Sequence, residues 1–372
     1  MIFTTWDYLL FLLPSAALFR LAAPGARPWI VTASGVCFFV YFSYTVEAGA
    51  LGAAFVLIFL WEAAVSRLYK PGSVFCALGI VQAVLFLMAF KYWRVTPFLP
   101  LGISFFTFEF IHYAVDRYRD RTQAGGVGEY MAFIMFFPTM VAGPIKRYQD
   151  FLPKLRSPEI DWTLDWQRGT TRILAGLAKK LAIADLLTAY TIHLNVHDIA
   201  VAHRGILPVW LLAYGIKIYV DFSAYSDIAI GSARLFGIRV PENFDWPYTS
   251  TNITDFWRRW HISLSSWLLD YVFIPLGGSR VPMPRVYVNV LVTMAVSGVW
   301  HGVGVNYVVW GLLHGVMLAV HRWWSRRRHA AAPRYAAAMS WILTFVCVNL
   351  AWAFFAMDIQ TAVFFFRRMV GG

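Results

Sequence analysis

Charge is scarce in this chain. Only 14% of its 372 residues are Asp, Glu, Lys or Arg, the 20 acids are outnumbered by 32 bases, hydrophobic residues reach 59%, and the mean hydropathy is +0.57. A soluble domain carries roughly 25% charged and 45–50% apolar residues, so a water-exposed globule is excluded and a chain crossing a bilayer several times remains. The net charge of +12 does not indicate nucleic acid, because the bases fall between apolar runs and form neither a tail nor a stripe. Lys and Arg held in the cytoplasmic loops of a polytopic protein account for that spacing. Cysteine is nearly absent: Cys37, Cys76 and Cys347 each sit in an apolar run, without the paired spacing of a disulfide framework or a thiolate metal site. No stretch could hold a soluble domain, and no repeat of roughly 20–50 residues is visible. A Gly-x-Ser-x-Gly elbow is missing, which weighs against a covalent seryl intermediate. Leu276-Gly277-Gly278-Ser279-Arg280 lacks the Gly-Lys-Ser/Thr ending of a phosphate-binding loop and reads as a turn.

What is abundant is aromatic: 17 Trp, 18 Tyr and 31 Phe, rings that favour the two membrane interfaces. Apolar segments near the roughly 20 residues a crossing helix needs lie at about 6–23, 29–46, 50–66, 74–92 and 98–115. The first, from Tyr8 to Ala23, follows Asp7 and no basic cluster and precedes no cleavage site, so it is expected to be a retained span. Arg20 and Arg27, Arg67 and Lys70, then Arg117, Arg119 and Arg121 follow alternate spans, which puts the N-terminus outside and these loops in the cytoplasm; Lys91 and Arg94 run against the pattern.

Tyr130 to Gly143 is short for a crossing and ends in Gly-Pro, so a re-entrant or interfacial element is expected. Lys146 to Arg172, with Lys146, Arg147, Lys154, Arg156, Arg168, Arg172, Glu159, Asp161 and Asp165, reads as a cytoplasmic segment. Spans at about 173–192 and 206–221 flank a polar loop holding His193, His197, Asp198 and His203. His193 and His197 have one-face helical spacing, but Asn195 and Gly205 nearby favour a solvated loop over a metal site. In Asp221 to Gly237, Asp221, Tyr225, Asp227 and Arg234 interrupt an apolar background. Irregular backbone around a wet cavity would explain them, and an ordinary helix with a charged face is the alternative. Two more spans, about 286–303 and 304–321, meet at Trp300-His301-Gly302, and a last one at about 337–356 follows the basic run Arg326, Arg327, Arg328. The expected architecture is an all-α, polytopic membrane protein: one domain over 1–372, with about ten transmembrane helices and two or three re-entrant or interfacial helices.

The stretch from Asp255 to Arg280 carries the most unusual chemistry. Thr254 or Asp255 is expected to cap a helix in which Trp257, Trp260, His261, Leu264, Trp267, Leu268 and Tyr271 recur at three- and four-residue intervals, turning His261 inward. An ionisable group among apolar side chains at membrane depth is costly, which makes both His261 and His301 functional candidates. Arg258 and Arg259 could attract a phosphate-bearing donor, although Asp255 stands three and four residues before them at salt-bridge spacing, and a solvated basic face is the simpler reading. His112, His314 and His321 are read first as buried histidines that satisfy nearby polar groups.

Ser104-Phe105-Phe106-Thr107-Phe108, Ala142-Gly143-Pro144-Ile145-Lys146-Arg147-Tyr148, Gly176-Leu177-Ala178-Lys179-Lys180, Asp221-Phe222-Ser223 with Tyr225-Ser226-Asp227, Pro241-Glu242-Asn243-Phe244, Phe256-Trp257-Arg258-Arg259-Trp260-His261-Ile262-Ser263-Leu264 and Trp300-His301-Gly302 occur in this order. Through them the chain resembles the membrane-bound O-acyltransferase family, in particular its bacterial alginate O-acetylation and teichoic-acid D-alanylation branch, over about residues 100–320. The resemblance implies a central tunnel, His301 as the catalytic histidine and His261 as a second polar position, with Arg258, Arg259, Asp270, Trp300 and Asn306 as substrate-binding candidates. Two departures stand out: Leu269 precedes Asp270 where the branch has arginine, and Gly304-Val305-Asn306 replaces Ala-Asn-Trp. The chain also ends sooner than many alginate-type relatives. The implied reaction moves an acyl group, acetyl by preference, from a cytoplasmic thioester (acetyl-CoA or an acyl-carrier phosphopantetheine) toward an extracytoplasmic glycan or a partner acyltransferase. It needs no bound cofactor and no metal, and its place is the bacterial cytoplasmic (inner) membrane. A neutral imidazole, of ordinary pKa about 6.5, can take the hydroxyl proton and return it to the leaving thiolate. His261 would orient the acceptor, steady the oxyanion or tune His301. D-alanyl transfer from a carrier thioester is the alternative within the family, and a transporter without acyl chemistry the alternative outside it, although no inverted repeat with broken helices is visible.

Overall fold

The computed structural model describes residues 2–45, 49–97, 99–158, 161–327 and 335–371. Glu159, Arg328 and the edges of the expected spans at residues 46 and 98 lie outside the described residues. Every regular element among the described residues is helical. Among the described residues three helices are long and apolar enough to cross a membrane, namely Val74–Tyr92, Arg204–Leu235 and Ala336–Ala356. The expected set of about ten full-length spans is therefore met at three places by length and composition. Trp6–Leu21, for example, has 16 residues. At about 1.5 Å per residue it rises roughly 24 Å against a hydrocarbon core of roughly 30 Å.

The chain divides into two compact units, Met1–Leu177 with Ala224–Glu242, and Ala178–Ser223 with Asn243–Gly372. The core of the first is a continuous mass of rings and aliphatics that includes Tyr8, Phe38, Phe59, Phe106, Phe137 and Phe236. Tyr130 to Gly143 forms two short helices, Val127–Ile134 and Phe137–Met140, whose residues from Tyr130 to Met140 are buried. Non-spanning backbone is thus enclosed by protein, the condition that a bilayer imposes on it.

Two basic residues read as loop charges are in fact buried. Arg20 closes the helix Trp6–Leu21 and pairs with Asp165 at 3.2 Å, and Arg234 meets the other oxygen of the same carboxylate at 2.6 Å. Lys146 lies 2.5 Å from Glu109, with its ammonium 4.7 Å above the Phe133 ring. Counting charges along the sequence could not separate these from solvated bases, because only an acid brought in from a distant segment makes such burial tolerable. His112 accepts a hydrogen bond from the Tyr148 backbone N–H at 3.0 Å, as a buried structural histidine does.

Asp221 to Leu235 lies in one continuous helix, Leu207–Leu235, and Phe236 and Gly237 form the turn that ends it, which is the ordinary helix given as the alternative and not irregular backbone around a cavity. Its charges are met by side-chain partners and the backbone need not break. In the first unit Arg172 holds Asp227 at 2.7 Å and Glu242 at 2.5 Å, and in the second Lys180 holds Asp221 at 2.9 Å. Ile230, Gly231 and Arg234 nevertheless border an open cleft of about 800 Å³ in the first unit.

The second unit is organised on a helical hairpin, Met283–His301 and Val305–Arg327. Gly298 and Gly311 let the two backbones touch, since a Cβ at either would stand 2.2 Å from a carbonyl oxygen of the facing helix. Trp257, Trp260, Trp310, Trp352 and Phe365 pack into one core around it.

Candidate active site

Asn252, not Thr254 or Asp255, caps the helix Ile253–Arg259, its side-chain oxygen accepting the Asp255 N–H at 2.8 Å. The helix stops there. Trp260 is extended and His261 adopts the left-handed region at φ 43°, after which a second helix, Ile262–Leu268, begins. The single helix expected across His261 is thus two helices with a sharp break. Left-handed backbone at a non-glycine residue costs of order 1–3 kcal/mol and persists only where neighbours impose it. Asn243 imposes it here: its backbone oxygen accepts the Ile262 N–H at 2.9 Å, and its side-chain oxygen accepts from Ser263 N–H at 3.3 Å and from Ser263 Oγ at 2.7 Å. The Asn243 side-chain oxygen also lies 3.1 Å from His261 Nδ1.

The break aims the histidine inward, as its spacing promised; the residue is 1% exposed. Its ring packs edge-on against Phe222 at 4.7 Å between centroids and against Trp300 at 6.3 Å. His261 Nε2 is buried and has no hydrogen-bond partner among the described residues. Burial holds the imidazole well below its ordinary pKa, because the cation would lie unsolvated in a segment outside the three candidate spans.

His301 is the last residue of the helix Met283–His301. It is half-buried, and its ring meets Trp300 at 4.7 Å, Trp310 at 5.2 Å and Phe355 at 5.0 Å. The structure therefore brings His261, Trp300 and His301 together, with both imidazoles against the same indole.

The other candidates are spread more widely. Arg259 is engaged by Asp255 at 3.0 Å, the helical pairing foreseen, while Arg258 is exposed at the surface. Asp270 stands in a π-turn, Leu269–Phe273, that follows the second helix, and Gly277 and Gly278 form the expected turn with φ of 104° and 56°. The Asn306 side-chain amide donates to the Phe354 carbonyl at 3.0 Å, which ties the hairpin to the helix Tyr335–Ala356. His314 and His321 take structural partners, as read first: Trp257 Nε1–H donates to His314 Nδ1 at 3.3 Å, and His321 bonds Thr254 at 2.9 Å and Ser325 at 3.2 Å. His193 pairs with Asp198 at 2.8 Å, and among the described residues no group of His, Cys, Asp and Glu is arranged to hold a metal ion. Sequence reasoning did not assign Asn243, although it lies inside a quoted motif; its partners follow 18 to 20 residues later, and only folding reveals them.

The chain matches the model of the membrane-bound O-acyltransferase (MBOAT) family over residues 79–359. It is 42% identical, over 71% of its length and 50% of the relative's, to the Pseudomonas aeruginosa protein named "Probable alginate O-acetylase AlgI". A Helicobacter pylori protein named peptidoglycan O-acetyltransferase is 37% identical over 73% of the chain and 57% of the relative. A Bacillus subtilis protein named teichoic acid D-alanyltransferase is 30% identical over 74% of the chain and 76% of the relative. The chain spans about half the length of the alginate-type relatives from P. aeruginosa and Azotobacter vinelandii. The family match covers the helix that ends in His301 and the segment that carries His261, and the chain belongs to the membrane-bound O-acyltransferase family.

Proposed function

We propose that this protein is a multi-pass O-acyltransferase of the bacterial cytoplasmic membrane. It moves an acetyl group from a cytoplasmic thioester, acetyl-CoA or an acyl carrier's phosphopantetheine, to hydroxyls of an extracytoplasmic polysaccharide, directly or through a partner acyltransferase. The observation that carries this reading is the pair of imidazoles set against one indole, His301 half-buried and His261 fully so. His301 is open enough to meet a substrate and is flanked by the Trp300, Trp310 and Phe355 rings. As the acceptor hydroxyl oxygen attacks the thioester carbonyl carbon, His301 takes the hydroxyl proton; the carbon–sulfur bond then breaks and the imidazolium returns the proton to the departing thiolate. The aromatic walls keep water from competing for the acyl group. The donor substrate is consumed, so no resident cofactor is required.

Replacing His301 with Ala should lower acylation of the surface polymer by about 10²–10⁴-fold, the contribution of a positioned proton acceptor, while the protein still reaches the membrane. Full acylation by the variant would sink the reading. D-alanyl transfer is the second reading, favoured by the teichoic-acid relative, over which similarity extends along 76% of the relative's length. Purified protein offered radiolabelled acetyl-CoA in one arm and an aminoacyl carrier thioester in the other decides between them, and consumption of the second alone replaces acetyl with D-alanyl.

A further inference from the structure

The Asn243 side chain has an unusual load. Its oxygen lies within hydrogen-bond distance of His261 Nδ1 (3.1 Å), Ser263 N (3.3 Å) and Ser263 Oγ (2.7 Å), and the residue is wholly buried. A backbone N–H can only donate, so the Ser263 contact identifies that amide atom as the oxygen, and an amide oxygen can only accept. It follows that His261 Nδ1 carries a proton and donates it. A neutral imidazole has one N–H, so Nε2 holds a bare lone pair. A cation is disfavoured because the groups packed on the ring are Asn243, Phe222 and Trp300, none of them charged, with His301 on the Trp300 indole beyond. That lone pair is the atom found buried and unmatched. A buried acceptor left empty on one face of a ring whose other face is locked is a place for a donor that the protein itself does not supply.

We infer that Asn243 is a positioning residue that locks His261 in its Nδ1–H tautomer, so that Nε2 accepts a hydrogen bond from an N–H or O–H of the substrate. Of the three roles open to His261, steadying an oxyanion is excluded, because that requires a proton on Nε2, and tuning His301 through a hydrogen bond is not supported, because Nδ1 is taken by Asn243 and Nε2 meets no group among the described residues. The reacting hydroxyl has a single proton, which His301 takes, so the group bound by His261 is a second, non-reacting donor on the same substrate. His261 thereby orients and His301 reacts. The inference rests on the acyl-transfer reading for the substrate; for the tautomer it rests on geometry alone.

Nitrogen NMR of histidine-labelled protein in detergent, with His261→Gln to assign the signal, reads the tautomer without any substrate. The expected spectrum has a pyrrole-type Nδ1 and a pyridine-type Nε2 for His261; a protonated Nε2 overturns the inference whether or not the enzyme is active. Kinetics give the second readout. Asn243→Ala frees the ring and should raise KM about tenfold, the worth of one hydrogen bond, with kcat changed far less. A loss confined to kcat would instead make His261 a reacting group and overturn the orienting role. Asn243→Asp keeps an acceptor for Nδ1–H, and hence the tautomer, but its carboxylate favours the imidazolium, so the acid limb of the KM profile should move to higher pH. An unmoved limb in a folded Asn243→Asp protein also overturns it. Should Asn243→Ala fail to fold, the Asp variant and the wild-type spectrum still decide. Wild-type protein that shows the expected tautomer but transfers no acyl group from either donor class removes the substrate reading, and with it the orienting role, while the tautomer stands.

Discussion

His112 in the first unit and His261 in the second are both buried imidazoles, and they differ at Nε2. His112 Nε2 receives the Tyr148 backbone N–H, whereas His261 Nε2 receives nothing. The contrast extends to charge. The first unit buries Lys146 with Glu109 and sets Asp165 between Arg20 and Arg234, so its polar groups weld distant segments together. The aromatic chamber of the second unit holds neutral rings, two of them locked in opposite tautomers. Trp257 donates into His314 Nδ1, which leaves that ring's proton on Nε2, while Asn243 takes the proton of His261 Nδ1. Buried polar atoms without a hydrogen-bond partner among the described residues occur in both units, Arg20 Nη1 and Glu109 Oε2 in the first and His261 Nε2 and His314 Nε2 in the second; what sets His261 apart is that its ring shares the Trp300 indole with a second imidazole, His301. Incomplete pairing therefore points to the site only where it coincides with a second imidazole on the same indole, as it does at His261.

The largest effect that can break this contrast comes from the first unit. Lys146→Ala leaves Glu109 buried without its partner and should cost about 3–5 kcal/mol of stability, the usual penalty for an orphaned buried charge. Lys146→Met combined with Glu109→Leu should recover most of that loss, because neither charge then needs solvation. Chemical unfolding in detergent micelles measures both. If the single variant is as stable as the wild type, the pair does not weld the first unit, and the division of labour between the two regions fails.

A smaller effect tests the second unit. Trp257→Phe removes the donor to His314 Nδ1 and keeps most of the aromatic bulk, so it should cost roughly 1–3 kcal/mol, the price of an acceptor left unmatched in a core. It also releases the His314 tautomer, which nitrogen NMR reads as a shift toward a mixed population. A His314 spectrum unchanged in Trp257→Phe would show that the indole does not hold the ring.

The all-helical class and three of the expected spans were legible because an apolar run of crossing length folds as a helix, and the inward turn of His261 was legible from three- and four-residue spacing. The break at His261 was not. A left-handed residue between two short helices leaves the apolar pattern on either side intact, so periodicity reads straight through it. Arg20 and Asp165 could not be paired by inspection, since 145 residues separate them. Lys146, conversely, was read as a loop charge because a basic residue after Gly-Pro looks the same in sequence whether water or Glu109 meets it. At the site, the histidines announce themselves as ionisable rings among apolar and aromatic neighbours. Asn243 is silent, because an asparagine in a Pro-rich loop has many ordinary reasons to be there. What escapes the sequence in each case is a partner supplied from elsewhere in the chain.

The smallest effect sharpens the comparison at the edge of the first unit, where pairing is exposed and should matter least. Glu129 accepts the Gly126 N–H at 2.8 Å and two bonds from Arg156 at 2.6 and 2.9 Å. The Arg156 guanidinium holds the Glu129 carboxyl below its ordinary value of 4.5. A depressed carboxylate stabilises the fold at pH values above the unfolded pKa, and the contribution is lost as pH falls through the lower, folded value. With Arg156 half-exposed, water screens the pair, and about 0.5 kcal/mol is expected at neutral pH. Glu129→Gln should thus be slightly less stable than the wild type at pH 7, and the gap should close as the solution is taken below the carboxylate range. Unfolding midpoints of the two proteins across that range test it. A gap that widens on acidification would reverse the sign of the linkage, and a gap as large as that of Lys146→Ala would mean that surface and buried pairs carry equal weight in this unit.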